Sequence, residues 1–138
     1  MKKALVLDAY AMMCYLQKEP GALDVHKYLK QAQKGETTLF LNVVNLVEIL
    51  YTVERRYDEA MANQLMTTLP ALPITLVNVD QSLAQMAAKI KATKAPIALG
   101  DSFCIATAIK YEASILTGDP EFKKVEDQVE IIWLPPKS

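Results

Sequence analysis

The chain has 138 residues, 51% of them apolar, with 15 basic and 16 acidic side chains and a formal net charge of −1. That length suits one domain with a sizeable core, and the apolar fraction excludes a disordered polymer. The near-zero charge excludes a protein that wraps duplex DNA through a global basic surface, so any nucleic-acid contact must come from a local basic edge or from metal ions at the phosphate.

Met1-Lys2-Lys3 ahead of apolar residues mimics a secretion signal. Asp8 interrupts the run early and no small-residue cleavage site follows, so no signal peptide is expected. Ala4-Leu5-Val6-Leu7 reads as a buried strand ending at Asp8. Residues 9–18 read as a helix closed by Glu19-Pro20-Gly21, and Leu23, His26, Leu29 and Lys30 lie on a second helix that stops near Gly35. Thr38-Leu39-Phe40-Leu41 is a short strand. Asn42 caps a long helix to about Tyr57, and Asp58 caps the next, which runs to Thr68. Pro70 and Pro73 break the pattern before a strand at Ile74-Thr75-Leu76-Val77. Asp80 caps a helix over 81–93, with Leu83, Met86, Ala87 and Ile90 at helical spacing. Residues 94–100 read as a loop, Asp101 to Glu112 as a helix opened by Asp101, 114–117 as a strand and Ile131-Ile132-Trp133-Leu134 as the last strand. Alternating strands and helices predict a single α/β domain over 1–138, its parallel sheet covered by helices on both faces.

Four acids stand where chain geometry puts functional groups: Asp8 and Asp119 after strands, Glu48 inside an apolar helix and Asp101 at a helix start. Ligands of open α/β sheets bind outside the carboxyl ends of the strands. Two carboxylates about 5 Å apart at an effective dielectric of about 20 repel by roughly 3 kcal/mol. A hard divalent cation relieves that repulsion. Each acid also has a bland reading. Asp8 suits a helix cap, Asp101 the positive end of a helix dipole, and Asp119-Pro120 a turn. Glu48 lies in Val43–Tyr51, a stretch apolar nearly all round and therefore expected to be buried; a Glu48–Arg55 ion pair is its structural alternative.

Other chemistries find little support. Cys14 and Cys104 lack metal-ligand spacing and read as buried free thiols, in keeping with a reducing cytoplasm. His26, the only histidine, lies on a lysine-rich helix face. No P-loop, no G-x-G-x-x-G and no nucleophile elbow is present. The six methionines read as core filling. No stretch approaches the length of a membrane span.

The acids and their surroundings resemble the PIN-domain family, in particular the VapC-type toxin ribonucleases, over nearly the whole chain. Val6-Leu7-Asp8-Ala9-Tyr10-Ala11 looks like the family's opening motif. Asn45-Leu46-Val47-Glu48-Ile49 resembles the helix of its second acid. Leu99 to Ala108 and Ile115 to Phe122 are similar to its third and fourth motifs. The resemblance implies a three-layer α/β/α fold and an Mg²⁺- or Mn²⁺-dependent endoribonuclease. In it Asp8, Glu48, Asp101 and Asp119 bind metal and carry catalysis, with Thr117 as a supporting hydroxyl. It also implies an RNA substrate, a small cognate antitoxin and a homodimer. Ala9 and Tyr10 stand where the family often has Ser or Thr, and Asn42 and Asn45 stand where Ser or Thr is frequent. Arg55, Arg56, Lys89, Lys91 and Lys94 are candidate backbone contacts, and Tyr10 a candidate stacking platform for a base. The competing readings are a PIN-shaped binding or dimerisation module without catalysis, and an acid-based phosphatase or phosphotransfer domain. The latter lacks the acidic pair its families place beside the first strand.

Overall fold

The computed structural model describes residues 3–94 and 96–136. Met1 and Lys2 of the leader-like start, and Ala95 of the expected 94–100 loop, lie outside the described residues. Five strands, β1 (Lys3–Leu7), β2 (Thr37–Asn42), β3 (Thr75–Val77), β4 (Ser114–Thr117) and β5 (Ile131–Trp133), form one sheet. Every pairing is parallel and the order is β3-β2-β1-β4-β5. The helices are α1 (Ala9–Leu16), α2 (Ala22–Gln33), α3 (Val43–Arg56), α4 (Glu59–Thr68), α5 (Gln81–Thr93) and α6 (Leu99–Lys110).

Side-chain alternation along the strands assigns the two faces. Leu5, Leu7, Leu39 and Leu41 point to one core with residues of α1 to α4, and Val6 and Ile115 point to the other with α5 and α6. Each fully buried leucine stabilises by roughly 1.5–3 kcal/mol relative to exposure. The result is the three-layer α/β/α arrangement expected. Because β1 is central, the chain just after it is flanked by the ends of β2 and β4. Asn42, Asp58 and Asp80 cap α3, α4 and α5 as expected, each accepting from a first-turn amide at 2.8 Å.

Several boundaries differ from expectation. α1 ends at Leu16, where Lys18 takes a positive φ of 54°. α6 begins two residues earlier than expected, so Leu99 and Gly100 are helical and Asp101 lies inside the first turn behind an Ala98 cap. Glycine is a poor helix former, which hid this extension. α6 stops at Lys110, and Glu112 turns the chain with a φ of 51°. Residues 120–125 form a 3-10 helix that proline and turn signals concealed. α3 is not buried all round: Val47 is 58% and Tyr51 46% exposed. Met61 and Met66 are also exposed, so not every methionine fills the core. Cys14 and Cys104 are buried, and His26 is exposed. Among the described residues no helix is long and apolar enough to cross a membrane.

Candidate active site

Leu7 of β1 pairs with Leu116 of β4, so the next residues along, Asp8 and Thr117, leave the sheet side by side. Asp8 is buried, and both its oxygens are engaged. Oδ1 accepts from the Ala11 amide at 2.8 Å, which caps α1, and Oδ2 accepts the Thr117 hydroxyl at 2.5 Å. The cap and site readings of Asp8 are therefore compatible. Thr117 Oγ1 also accepts from the Asp119 amide at 3.0 Å, and Asp119 Oδ1 accepts from Glu121 N at 3.0 Å. One hydroxyl thus ties the first acid to the turn that carries the fourth.

The second pair comes from two helices. Asn45, wholly buried on α3, donates from Nδ2 to Glu48 Oε1 at 2.9 Å and to the Gly100 carbonyl of α6 at 3.1 Å. Glu48 lies against Gly100 so closely that a Cβ there would sit 2.2 Å from Glu48 Oε1. Asp101 follows directly. Seven residues beyond Gly100, Thr107 Oγ1 accepts from Asn42 Nδ2 at 2.9 Å, stitching α3 to α6 a second time. The sequence marks Asn45 only as a substituted position ahead of Glu48. Its spacing of three residues from Glu48 was readable, but its reach to Gly100 was not.

Asp101 is the acid whose charge links the two pairs, with Asp8 on one side and Glu48 on the other. Burial pushes the Asp8 carboxyl up to about 7, partly opposed by its Thr117 and Ala11 hydrogen bonds and assisted by the charges of Asp101 and Asp119. Burial likewise raises Asp101 to about 7, with the charges of Asp119, Glu48 and Glu121 adding and Lys124 opposing. Glu121 is a fifth acid, and Lys124 the cation among them. Lys124 Nζ bonds Glu121 Oε2 at 2.7 Å and the Pro96 carbonyl, so it fastens the segment after Asp119 to the loop before Asp101.

The remaining candidates lie around this group. Tyr10 is half-buried, and its ring faces Gly118. Arg55 is exposed and its guanidinium lies 5.0 Å from the Tyr51 ring centre; among the described residues no ion pair joins it to Glu48. Lys91 Nζ donates to the Ile97 carbonyl and Lys94 pairs with Asp127 at 3.6 Å, while Lys89 and Arg56 are exposed.

Does this donor set suit a divalent cation? Its oxygens are those a hard ion selects, and the neighbouring acid charges that add to burial in raising Asp8 and Asp101 are a repulsion such an ion relieves. Asn45 Oδ1 is a buried oxygen with no hydrogen-bond partner among the described residues. Among the described residues no three carboxylate, imidazole or thiolate groups form a ready-made cage. Mg²⁺ keeps several waters and takes only one or two carboxylates directly, so a hydrated ion requires no such cage.

A model of the PIN domain matches residues 5–128. No curated protein sequence matches the chain. Among solved structures, the chain is similar to VapBC2 of Rickettsia felis bound to a promoter DNA fragment. That match has a TM-score of 0.75 and 14% identity, covering 96% of this chain and 99% of the other. FitAcB of Neisseria gonorrhoeae aligns with a TM-score of 0.69 and 19% identity, over 93% and 96% of the two chains. VapC20 of Mycobacterium tuberculosis, a toxin that cleaves the sarcin-ricin loop, aligns with a TM-score of 0.64 and 15% identity, over 86% and 92%.

Proposed function

The chain belongs to the PIN domain family, and on that premise we propose that it is an endoribonuclease that uses Mg²⁺ or Mn²⁺, the toxin of a toxin–antitoxin pair. The observation that carries this reading is geometric: the Thr117 hydroxyl joins Asp8 to the turn of Asp119, Glu48 lies on Gly100 beside Asp101, and the charges of Glu48 and Asp119 both reach Asp101. RNA as the substrate draws support from the similarity to a sarcin-ricin loop cleaving toxin. A cognate antitoxin draws support from the similarity to VapBC complexes. A homodimer is part of the same proposal.

Asp8, Asp101, Asp119 and Glu48 would hold the ion, directly or through water. A divalent cation there supplies Lewis-acid chemistry, neutralising charge on the non-bridging phosphate oxygens and acidifying water. The chain's own residues do the rest. Asp8 is fixed by the Ala11 amide and the Thr117 hydroxyl, so it serves as a rigid ligand. Asp101 is half-buried and reachable by water. Both oxygens of the buried Asp8 are already engaged, which makes Asp101 the better candidate to position the attacking water. Asn45 holds Glu48, and Thr117 holds Asp8 against Asp119. Arg55 over Tyr51 offers a cation to the RNA backbone two turns beyond Glu48, and Tyr10 offers an aromatic edge beside Asp8.

The test is incubation with total RNA and Mg²⁺ or Mn²⁺, mapping cut sites against a chelator control and an Asp101→Asn variant. Discrete cuts that need metal and Asp101 are expected. Cleavage that survives both controls would remove the acids from the chemistry.

A further inference from the structure

We propose that Tyr10 is a positioning residue, locking the turn that carries Thr117 and Asp119 onto the segment that carries Asp8. This rests on the reading of those acids as the active site. The geometry is a reciprocal fit between an aromatic ring and a missing side chain. A Cβ at Gly118 would lie 2.4 Å from Tyr10 Cε1, 2.8 Å from Cζ and 3.0 Å from the hydroxyl oxygen. Those atoms are the far end of a half-buried ring packed against the first core cluster, and the ring must turn away from this position to admit a side chain at 118. Tyr10 therefore fits only because residue 118 is glycine. Gly118 has no positive φ, so backbone conformation is not what demands glycine there. The ring is.

The contact closes a frame. Asp8 and Tyr10 sit on one rigid segment, the first turn of α1, which the Asp8–Ala11 hydrogen bond holds. Thr117 and Gly118 sit on the other, at the end of β4. Asp8 grips Thr117 through its hydroxyl and Tyr10 grips Gly118 through its ring. Two contacts fix both the distance and the rotation of the turn, where the hydroxyl alone would fix only the distance. Asp119, whose amide bonds Thr117 Oγ1, is the residue so oriented.

The test is a double-variant cycle on the full chain: Gly118→Ala, Tyr10→Ala, both together, and Tyr10→Phe. Two readouts are used, steady-state cleavage of a short RNA with Mn²⁺ and the rise in melting temperature that Mn²⁺ alone produces. Gly118→Ala should lower kcat about 10- to 100-fold through misplacement of Asp119, with KM little changed, and should shrink the Mn²⁺-dependent rise. Adding Tyr10→Ala to Gly118→Ala should restore much of both losses, because the methyl group then has room. Tyr10→Phe, which keeps the ring, should retain more cleavage than Tyr10→Ala. Losses that simply add in the double variant, or an indifferent Gly118→Ala, overturn the proposal. Circular dichroism of each variant separates misplacement from failure to fold; if Gly118→Ala alone does not fold, recovery of folding on adding Tyr10→Ala supports the contact and continued failure overturns it. A wild-type chain inert towards RNA but stabilised by Mn²⁺ overturns only the nuclease reading, and the melting data then decide the role of Tyr10. A wild-type chain that shows neither response overturns both.

Discussion

Glu48 rests on Gly100, its carboxylate occupying the space where any other residue would place a β-carbon. The third acid follows Gly100 directly, so an acid on α3 and an acid on α6 are set relative to each other by a contact that only glycine permits.

Gly100→Ala should therefore separate stability from activity. Alanine in a helix gains about 0.5–1 kcal/mol over glycine. Glu48 is a flexible side chain and can swing its carboxylate clear of the new methyl. The variant should melt within about 3 °C of wild type, yet cleave RNA about 10- to 100-fold more slowly. Calorimetry beside initial-rate assays checks both halves.

Asn45→Asp keeps the shape of the side chain and replaces its one donor group with an acidic oxygen. That oxygen would face Glu48 Oε1 and the Gly100 carbonyl in a buried position. We expect a loss of about 2–4 kcal/mol, larger at high pH where both carboxyls are ionised. Urea unfolding at pH 5 and pH 8 measures it, and equal stability to wild type at pH 8 would discard the bridge.

The metal-free protein should grow more stable on mild acidification. Unfolded, the Asp8 and Asp101 carboxyls ionise near 3.8; folded, they hold their protons up to about 7. Between those values the folded state binds more protons, so stability is greatest at the acidic end and falls as pH rises through 7. Asp80, held low by its bond to the Leu83 amide, works in the opposite sense but is exposed. In EDTA the melting temperature should be about 5 °C higher at pH 5 than at pH 8. A lower value at pH 5 would contradict the assignment.

Asp101→Asn should abolish metal-dependent cleavage while raising the metal-free melting temperature at pH 8, because it removes one of the repelling charges. In wild type, Mn²⁺ at 100 times its dissociation constant should add about 2.7 kcal/mol of stability. That increment should shrink in the variant. Titration of both proteins by thermal shift reads it, and an identical Mn²⁺ response would detach Asp101 from the ion.

Much of this was legible in the chain. Apolar runs ending at Asp8 and Thr117 gave the strands, and Asn42, Asp58 and Asp80 announced their helices, because capping is local chemistry. Glu48 stood out because a carboxylate amid Val47, Ile49 and Leu50 is costly unless something uses it. What stayed hidden is what depends on distant partners. Nothing near Gly100 says that Glu48 lies on it, and nothing near Gly118 says that Tyr10 does. Leu99 and Gly100 were read as loop because glycine propensity argues against helix, and packing overrode it. The exposure of Val47 and Tyr51 was missed because hydropathy reports what a residue favours, not where the fold puts it.

The middle place of β1 in the sheet has a bearing on synthesis. Of the five strands β1 is made before the others and can pair with β2 early, but its other neighbour, β4, is made only after α3 to α6. Until then Asp8 lacks Thr117 and the turn that bears Asp119. A truncated product that stops before β4 is therefore a protein with an open sheet edge and no complete acid group. Interrupted translation would yield aggregation-prone fragments rather than stray cutting activity.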